Sequence, residues 1–218
     1  MDKNTSNSIV RTLAERYPAA ECALFYEGDP FRLLVMAMLS AQCTDARVNI
    51  VSQTLFARYP DAPSMAGCAL PDLEDCIRSC GLYKTKAKNI RATARILCDK
   101  YGGQVPDTME ALLELPGVGR KIANLLLGDV FGQPGIVADT HCIRIAGRLG
   151  YYPEEEKNPL KTERILNEWI EKSGQAAFCH RLVLFGREIC TARAPKCGAC
   201  PLRQFCAACP DKGSVQSR

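Results

Sequence analysis

Apolar residues recur at helical spacing along most of the chain. Ile90, Ala94, Leu97 and Tyr101 form one stripe and Phe178, Leu182, Phe185 and Ile189 another, and a stripe of this period predicts a helix with one buried face. Glycines stand where such helices should end. Gly81 follows the stretch Pro71 to Cys80, Gly102-Gly103 follows Tyr101 and Gly132 follows Phe131, each where a left-handed C-cap would fall. No convincing alternating strand or Asn-Gly hairpin is present. The pattern therefore predicts an all-α fold of about ten short helices joined by tight turns. Gly132-Gln133-Pro134-Gly135 is the clearest mid-chain break, Tyr151 to Pro159 reads as a second loop, and disorder is expected only in about the last dozen residues.

Composition narrows the class without choosing a function. At 218 residues, 47% apolar, the chain can bury one substantial core or two modest ones. No apolar run approaches the roughly 18 residues of a membrane span, and residues Met1 to Asn7 lack the organisation of a signal peptide. The expectation is a cytoplasmic protein with no membrane partner. Lys and Arg number 28 against 24 Asp and Glu, and the net charge of +4 permits a polyanionic partner without establishing one.

The 13 cysteines carry more information. With no export signal, a disulfide framework is the weaker reading. Cys22, Cys43, Cys68, Cys76, Cys80, Cys98, Cys142 and Cys179 are scattered among apolar residues, as small hydrophobes packed in a core. Cys190, Cys197, Cys200, Cys206 and Cys209 instead fall within 20 residues. The first four have the spacing Cys-x6-Cys-x2-Cys-x5-Cys, which lets four thiolates converge from one loop and suits either a [4Fe-4S] cluster or zinc. Zinc has a set of its own, because Cys197, Cys200, Cys206 and Cys209 form two Cys-x2-Cys knuckles, though the gap of five residues between them is short for a zinc ribbon. Free thiols in so polar a loop would oxidise easily, so a metal centre is expected. Arg193 and Lys196 lie between the first two cysteines, and on a loop made rigid by metal they suit phosphate contacts.

Residues Leu115 to Ala123 read Leu-Pro-Gly-Val-Gly-Arg-Lys-Ile-Ala, with Ile122, Leu125, Leu126 and Val130 continuing as a helical run. The Gly117-Val118-Gly119 turn can aim backbone N–H groups at a phosphate from a helix N-terminus. The segment resembles a helix-hairpin-helix motif. Lys121 falls in the first turn of the second helix beside Arg120, where helix dipole and neighbouring charge should disfavour its protonated form and make it a nucleophile. Farther on, Asp139 precedes a helix whose Cys142, Ile145, Ala146 and Leu149 form an apolar stripe, while His141, Arg144 and Arg148 share a basic face. Asp139 reads either as a simple helix cap or as a carboxylate that helps move protons and steadies a cationic sugar.

Taken together, Leu115 to Ala123, Asp139-Thr140-His141 and the Cys190 to Cys206 spacing resemble the endonuclease III family of helix-hairpin-helix DNA glycosylases. The likeness extends to Leu39-Ser40-Ala41-Gln42-Cys43-Thr44-Asp45 and to Gly81-Leu82-Tyr83-Lys84-Thr85-Lys86-Ala87, which look like that family's two DNA-inserting segments. The resemblance implies a two-domain architecture, with a helical barrel over residues 23–133 and a cluster domain made of 1–22 and 134–218. It implies a [4Fe-4S] cluster on Cys190, Cys197, Cys200 and Cys206, and a monomer acting on damaged double-stranded DNA. Lys121 and Asp139 would be the catalytic pair, facing each other across the cleft. Gln42 would fill the gap left by an extruded base and Leu82 would wedge the opposite strand. Gly117, Val118, Gly119, His141, Arg144, Arg193 and Lys196 would complete the DNA contacts. The expected activity is removal of oxidised pyrimidines through a lysine imine, followed by β-elimination. Ala138, Gly147 and the extra Cys209 depart from the family pattern. The alternatives are a monofunctional adenine or mismatch glycosylase on the same scaffold, which would lack the hairpin lysine, and a non-catalytic zinc-dependent DNA-binding module.

Overall fold

A helix with no polar face has to be surrounded, and the chain contains one. Helix α2, Pro30–Leu39, reads Pro-Phe-Arg-Leu-Leu-Val-Met-Ala-Met-Leu, and every residue of it except Pro30 and Arg32 is buried. It starts cleanly because Pro30 occupies the first turn and the Asp29 carboxylate accepts from the N–H groups of Phe31 and Arg32. The computed structural model describes residues 1–209, so most of the stretch expected to be disordered lies outside the described residues.

Two compact units emerge, Cys22–Gly132 and, for the second, Met1–Glu21 together with the chain from Gln133 onward. The first unit wraps α2. Helices α3 (Asp45–Arg58), α4 (Ala62–Gly67), α5 (Leu70–Ile77), α6 (Tyr83–Tyr101), α7 (Met109–Leu113) and α8 (Arg120–Asp129) follow in order. Helices α3, α6 and α8 pack directly on α2, α4 and α5 cover α6, and α7 pairs with α8. Side-chain oxygens of Thr44, Asp61 and Thr108 cap α3, α4 and α7.

The second unit joins α1 (Lys3–Arg16) to α9 (Thr140–Leu149), α10 (Pro159–Trp169) and α11 (Gln175–Glu188). Helix α11 packs on both α1 and α9, around a core that includes Ile9, Leu13, Ile145, Phe178 and Phe185. Polar contacts tie the N-terminal helix to residues far along the chain. Lys3 Nζ donates to the carbonyl of Glu168 at 2.9 Å, the hydroxyls of Ser6 and Tyr151 are 3.1 Å apart in the interior, and Tyr17 donates to Glu188 at 2.5 Å.

The described residues hold eleven α-helices, three short 3-10 turns and no strand, as the periodicity predicts. The glycine stops differ in kind. Gly102 is a left-handed cap, with φ 59° and ψ 28°. Gly81 has a positive φ of 65° but an extended ψ of 158°, because a 3-10 turn over Arg78–Cys80 separates it from α5. Helix α8 ends at Asp129, two residues ahead of the expected Phe131. Of the eight scattered cysteines, Cys68, Cys80, Cys142 and Cys179 are buried and the other four half-buried. No helix among the described residues is long and apolar enough to cross a membrane.

Leu34 is fully buried and Ile50 is 60% exposed, so truncation should separate them. Leu34→Ala should lower unfolding free energy by about 2–5 kcal/mol and Ile50→Ala by less than about 0.5 kcal/mol, as read from denaturant midpoints.

Candidate functional site

In the Cys22–Gly132 unit, the candidate residues stand at the ends of the helices that surround α2. The chain leaves α2 through Ser40 and reaches Gln42 in the left-handed region, with φ 55°. Leu82, immediately before α6, is also left-handed at φ 43° and ψ 28°. Such a backbone costs a non-glycine residue roughly 1–3 kcal/mol. Neither side chain recovers that cost by burial, since Gln42 is exposed and Leu82 is 60% exposed. Packing does not account for a strained turn that presents an uncovered leucine, which makes the turn a candidate for recognition.

The two turns are linked by a residue to which the sequence assigns no role. Lys86 is buried in the first turns of α6, and its Nζ donates to the carbonyls of Leu39 at 2.8 Å, Ala41 at 2.7 Å and Cys80 at 2.7 Å. In sequence it is one of three closely spaced lysines, Lys84, Lys86 and Lys88, and the one that falls a helical turn ahead of Ile90 on the stripe that continues through Ala94 and Leu97.

Between α7 and α8 the hairpin turns at Gly117, whose φ of 82° excludes most side chains. A Cβ there would also lie 2.8 Å from the Asn89 amide. Val118 points into the core and its N–H donates to the Leu115 carbonyl at 3.0 Å. Gly119 is the N-cap of α8 and brings no capping side chain, which suits a helix N-terminus that takes an anion from outside. Lys121 is exposed in the first turn of α8.

In the other unit, Asp139 is the N-cap of α9 and one of its carboxylate oxygens accepts from Cys142 N–H at 2.7 Å. The half-buried carboxylate is therefore oriented by the helix it caps. The basic face of α9 is turned toward the cysteine loop. Arg144 donates to the Cys190 carbonyl at 2.9 Å and lies 3.2 Å from His141 Nδ1. Arg148 donates to the carbonyls of Thr191 at 2.9 Å and Ala192 at 3.1 Å, and its guanidinium is 3.5 Å from Cys190 Sγ. Helix α11 can lie against this face because Gly186 has no side chain; a Cβ there would fall 2.4 Å from His141 Nδ1. The loop so pinned leaves Arg193 and Lys196 exposed.

Cys190, Cys197, Cys200 and Cys206 line one cavity of about 330 Å³, closed on its apolar side by Ile145, Leu149 and Phe185. Cys209 is buried and does not line it. Burial pushes the Cys200 and Cys206 thiols above their ordinary pKa, and the neighbouring sulfurs add to the effect. A positive metal centre would remove that penalty. The alternative zinc set needs Cys209 to reach the same point as Cys197, Cys200 and Cys206, and Cys209 lies outside the cavity those three share. Four thiols spread around that cavity fit a [4Fe-4S] cluster, in which each thiolate binds a different iron.

Residues 35–172 match the HhH-GPD superfamily of base excision DNA repair proteins, and residues 190–206 match the iron-sulfur binding domain of endonuclease III. Endonuclease III of Bacillus subtilis (strain 168) is 41% identical over 194 residues, covering 89% of this chain and 88% of its own. That of Escherichia coli (strain K12) is 36% identical over 206 residues, covering 94% and 96%. A solved non-covalent endonuclease III–DNA complex is 40% identical with a TM-score of 0.89, covering 95% of this chain and 96% of that one. A trapped endonuclease III–DNA covalent intermediate has the same identity and TM-score, covering 95% and 97%. A thermostable thymine-DNA glycosylase, 22% identical with a TM-score of 0.87 over 94% and 96%, shares the fold.

Cys190→Ser should abolish the yellow-brown colour and the bound iron and acid-labile sulfide, and Cys209→Ser should leave all three unchanged. The opposite pattern, with zinc in place of iron by elemental analysis, would assign the centre to the alternative set.

Proposed function

The chain belongs to the endonuclease III family within the HhH-GPD superfamily of base excision DNA repair proteins, and from this we propose that it excises oxidised pyrimidines from duplex DNA with Lys121 as nucleophile. It is a DNA glycosylase with AP-lyase activity and carries a [4Fe-4S] cluster. The observation that carries the residue assignment is Lys121 in the first turn of α8, directly after a glycine hairpin whose N-cap brings no capping side chain, an arrangement that suits a phosphodiester.

The glycosidic bond of a stacked base cannot be reached until the nucleotide leaves the duplex, at a cost of a few kcal/mol that is least for a damaged base. Gln42 and Leu82 meet that cost, one filling the vacated space and the other wedging the opposite strand. The α8 N-terminus with Gly117 and Gly119 grips the phosphodiester, and Arg193 and Lys196 hold the backbone from the cysteine loop. His141 and Arg144 complete the basic surface, and Arg144 also steadies that loop through the Cys190 carbonyl.

The neutral Lys121 amine attacks the anomeric carbon while the bond to the base breaks and its electron pair leaves with the base. Opening of the sugar ring gives an imine between Nζ and the former anomeric carbon. Loss of a proton from the adjacent carbon then expels the 3′ phosphate by β-elimination. Asp139 stabilises the cationic sugar as it forms and relays protons. Cys190, Cys197, Cys200 and Cys206 hold the cluster, which supplies the cross-link that keeps their loop in one shape.

The test is strand cleavage across a panel of oxidised pyrimidines, with abasic duplex as reference. Lys121→Ala should leave DNA binding within about threefold and remove cleavage of every substrate, because no other group forms the imine. Asn is as good an N-cap as Asp, so Asp139→Asn should keep α9 intact yet slow cleavage by about 10²–10⁴-fold. Undiminished cleavage in Lys121→Ala would reject the assignment.

A further inference from the structure

Lysine is almost never fully buried unless its charge is matched, and Lys86 is only 6% exposed. Its ammonium has three donors, and each meets a backbone carbonyl, of Leu39, Ala41 and Cys80, at 2.7–2.8 Å. Two of these carbonyls lie at the C-terminal end of α2, where a cation also complements the helix dipole; the third belongs to the 3-10 turn before α6. Burial pushes the Lys86 pKa down from its usual value, and the nearby Cys43 and Cys80 thiols oppose that shift.

The positions of the three acceptors are what matter. Ala41 is the residue immediately before left-handed Gln42, and Cys80 immediately precedes the positive-φ pair Gly81 and Leu82. Backbone strain of this kind persists only where the surroundings over-determine it. The two turns are 40 residues apart in sequence, and one side chain bonds the backbone just ahead of both.

We propose that Lys86 is a positioning residue that fixes the Gln42 and Leu82 turns as a single rigid unit, so that gap filling and wedging occur together when the damaged base is extruded. The inference rests on the reading of Gln42 and Leu82 as DNA-inserting residues. It adds that extrusion depends on a side chain that never touches DNA. Lys86→Met keeps the length of the side chain and removes all three donors. Each turn then loses its tether, and the two side chains no longer share one geometry.

The experiment uses the full chain with its cluster and two duplexes. One carries a paired oxidised pyrimidine beside 2-aminopurine, whose fluorescence rises on unstacking; the other carries a preformed abasic site, with no base to extrude. Lys86→Met should reduce both the fluorescence rise and base excision by about tenfold to a hundredfold, the usual effect of a small misplacement, and should change abasic-site cleavage by less than about threefold. Gln42→Ala and Leu82→Ala, run alongside, should each lower the fluorescence rise. If those two lower it and Lys86→Met does not, the positioning role is overturned and the reading of the inserting residues stands. If none of the three lowers it, that reading fails and the inference with it. Equal losses on both duplexes would mean that Lys86 is merely structural, which also overturns the proposal. Should Lys86→Met not fold by circular dichroism, Lys86→Gln, which retains a donor, is judged by the same comparison with a smaller expected loss.

Discussion

The Cys22–Gly132 unit is organised by the need to cover α2 on every side. Eight of its ten residues are buried, and no polar face is available to turn toward water, so α3, α6 and α8 must lie against it. Burying a leucine-sized side chain contributes about 1.5–3 kcal/mol, which makes this helix the largest local reason for the unit to close. Each candidate residue in the unit then sits at an end of α2 or of a helix packed on it. Gln42 follows the end of α2, Leu82 precedes α6, and Lys121 opens α8. The candidate residues are placed by packing, while Gln42, Leu82 and Lys121 themselves remain exposed.

The strain at Gln42 and Leu82 follows from the same arrangement. A chain leaving a helix whose last seven residues are all buried has to turn out of the core quickly, and a chain entering α6 from the Arg78–Cys80 turn has to do so as well. Left-handed backbone makes the reversals short and points side chains outward, at a cost the helix packing can sustain. In the second unit the equivalent constraint is the Cys190 to Cys206 loop, which has little regular structure of its own. Arg144 and Arg148 hold its beginning through three carbonyls, those of Cys190, Thr191 and Ala192. The thiols then close around a cavity whose size suits the iron-sulfur cluster.

What could be read in the sequence was whatever is periodic or closely spaced. The stripes through Ile90 and Phe178 mark helices because burial repeats every turn, and the cysteine spacing marks a metal centre because the ligands share one loop. The hairpin before Lys121 is legible for the same reason, since its glycines and its lysine are neighbours. The role of Lys86 was not legible, because its acceptors at Leu39 and Ala41 are more than 40 residues away; the sequence marks only its place one turn ahead of Ile90 on the buried stripe. The left-handed turns were equally hidden, as neither Gln42 nor Leu82 is a residue that favours that backbone. The α9 arginines read as sharing a basic face with His141; their carbonyl partners on the cysteine loop became visible only with the fold.

The central claim is that a single amine, at the uncapped start of α8, forms the covalent link to the sugar. Reduction with borohydride during reaction with abasic duplex, followed by digestion and mass mapping of the cross-linked peptide, tests it most directly. The account predicts one reduced adduct, on Lys121. An adduct on any other lysine, or on the N-terminal amine, would contradict it.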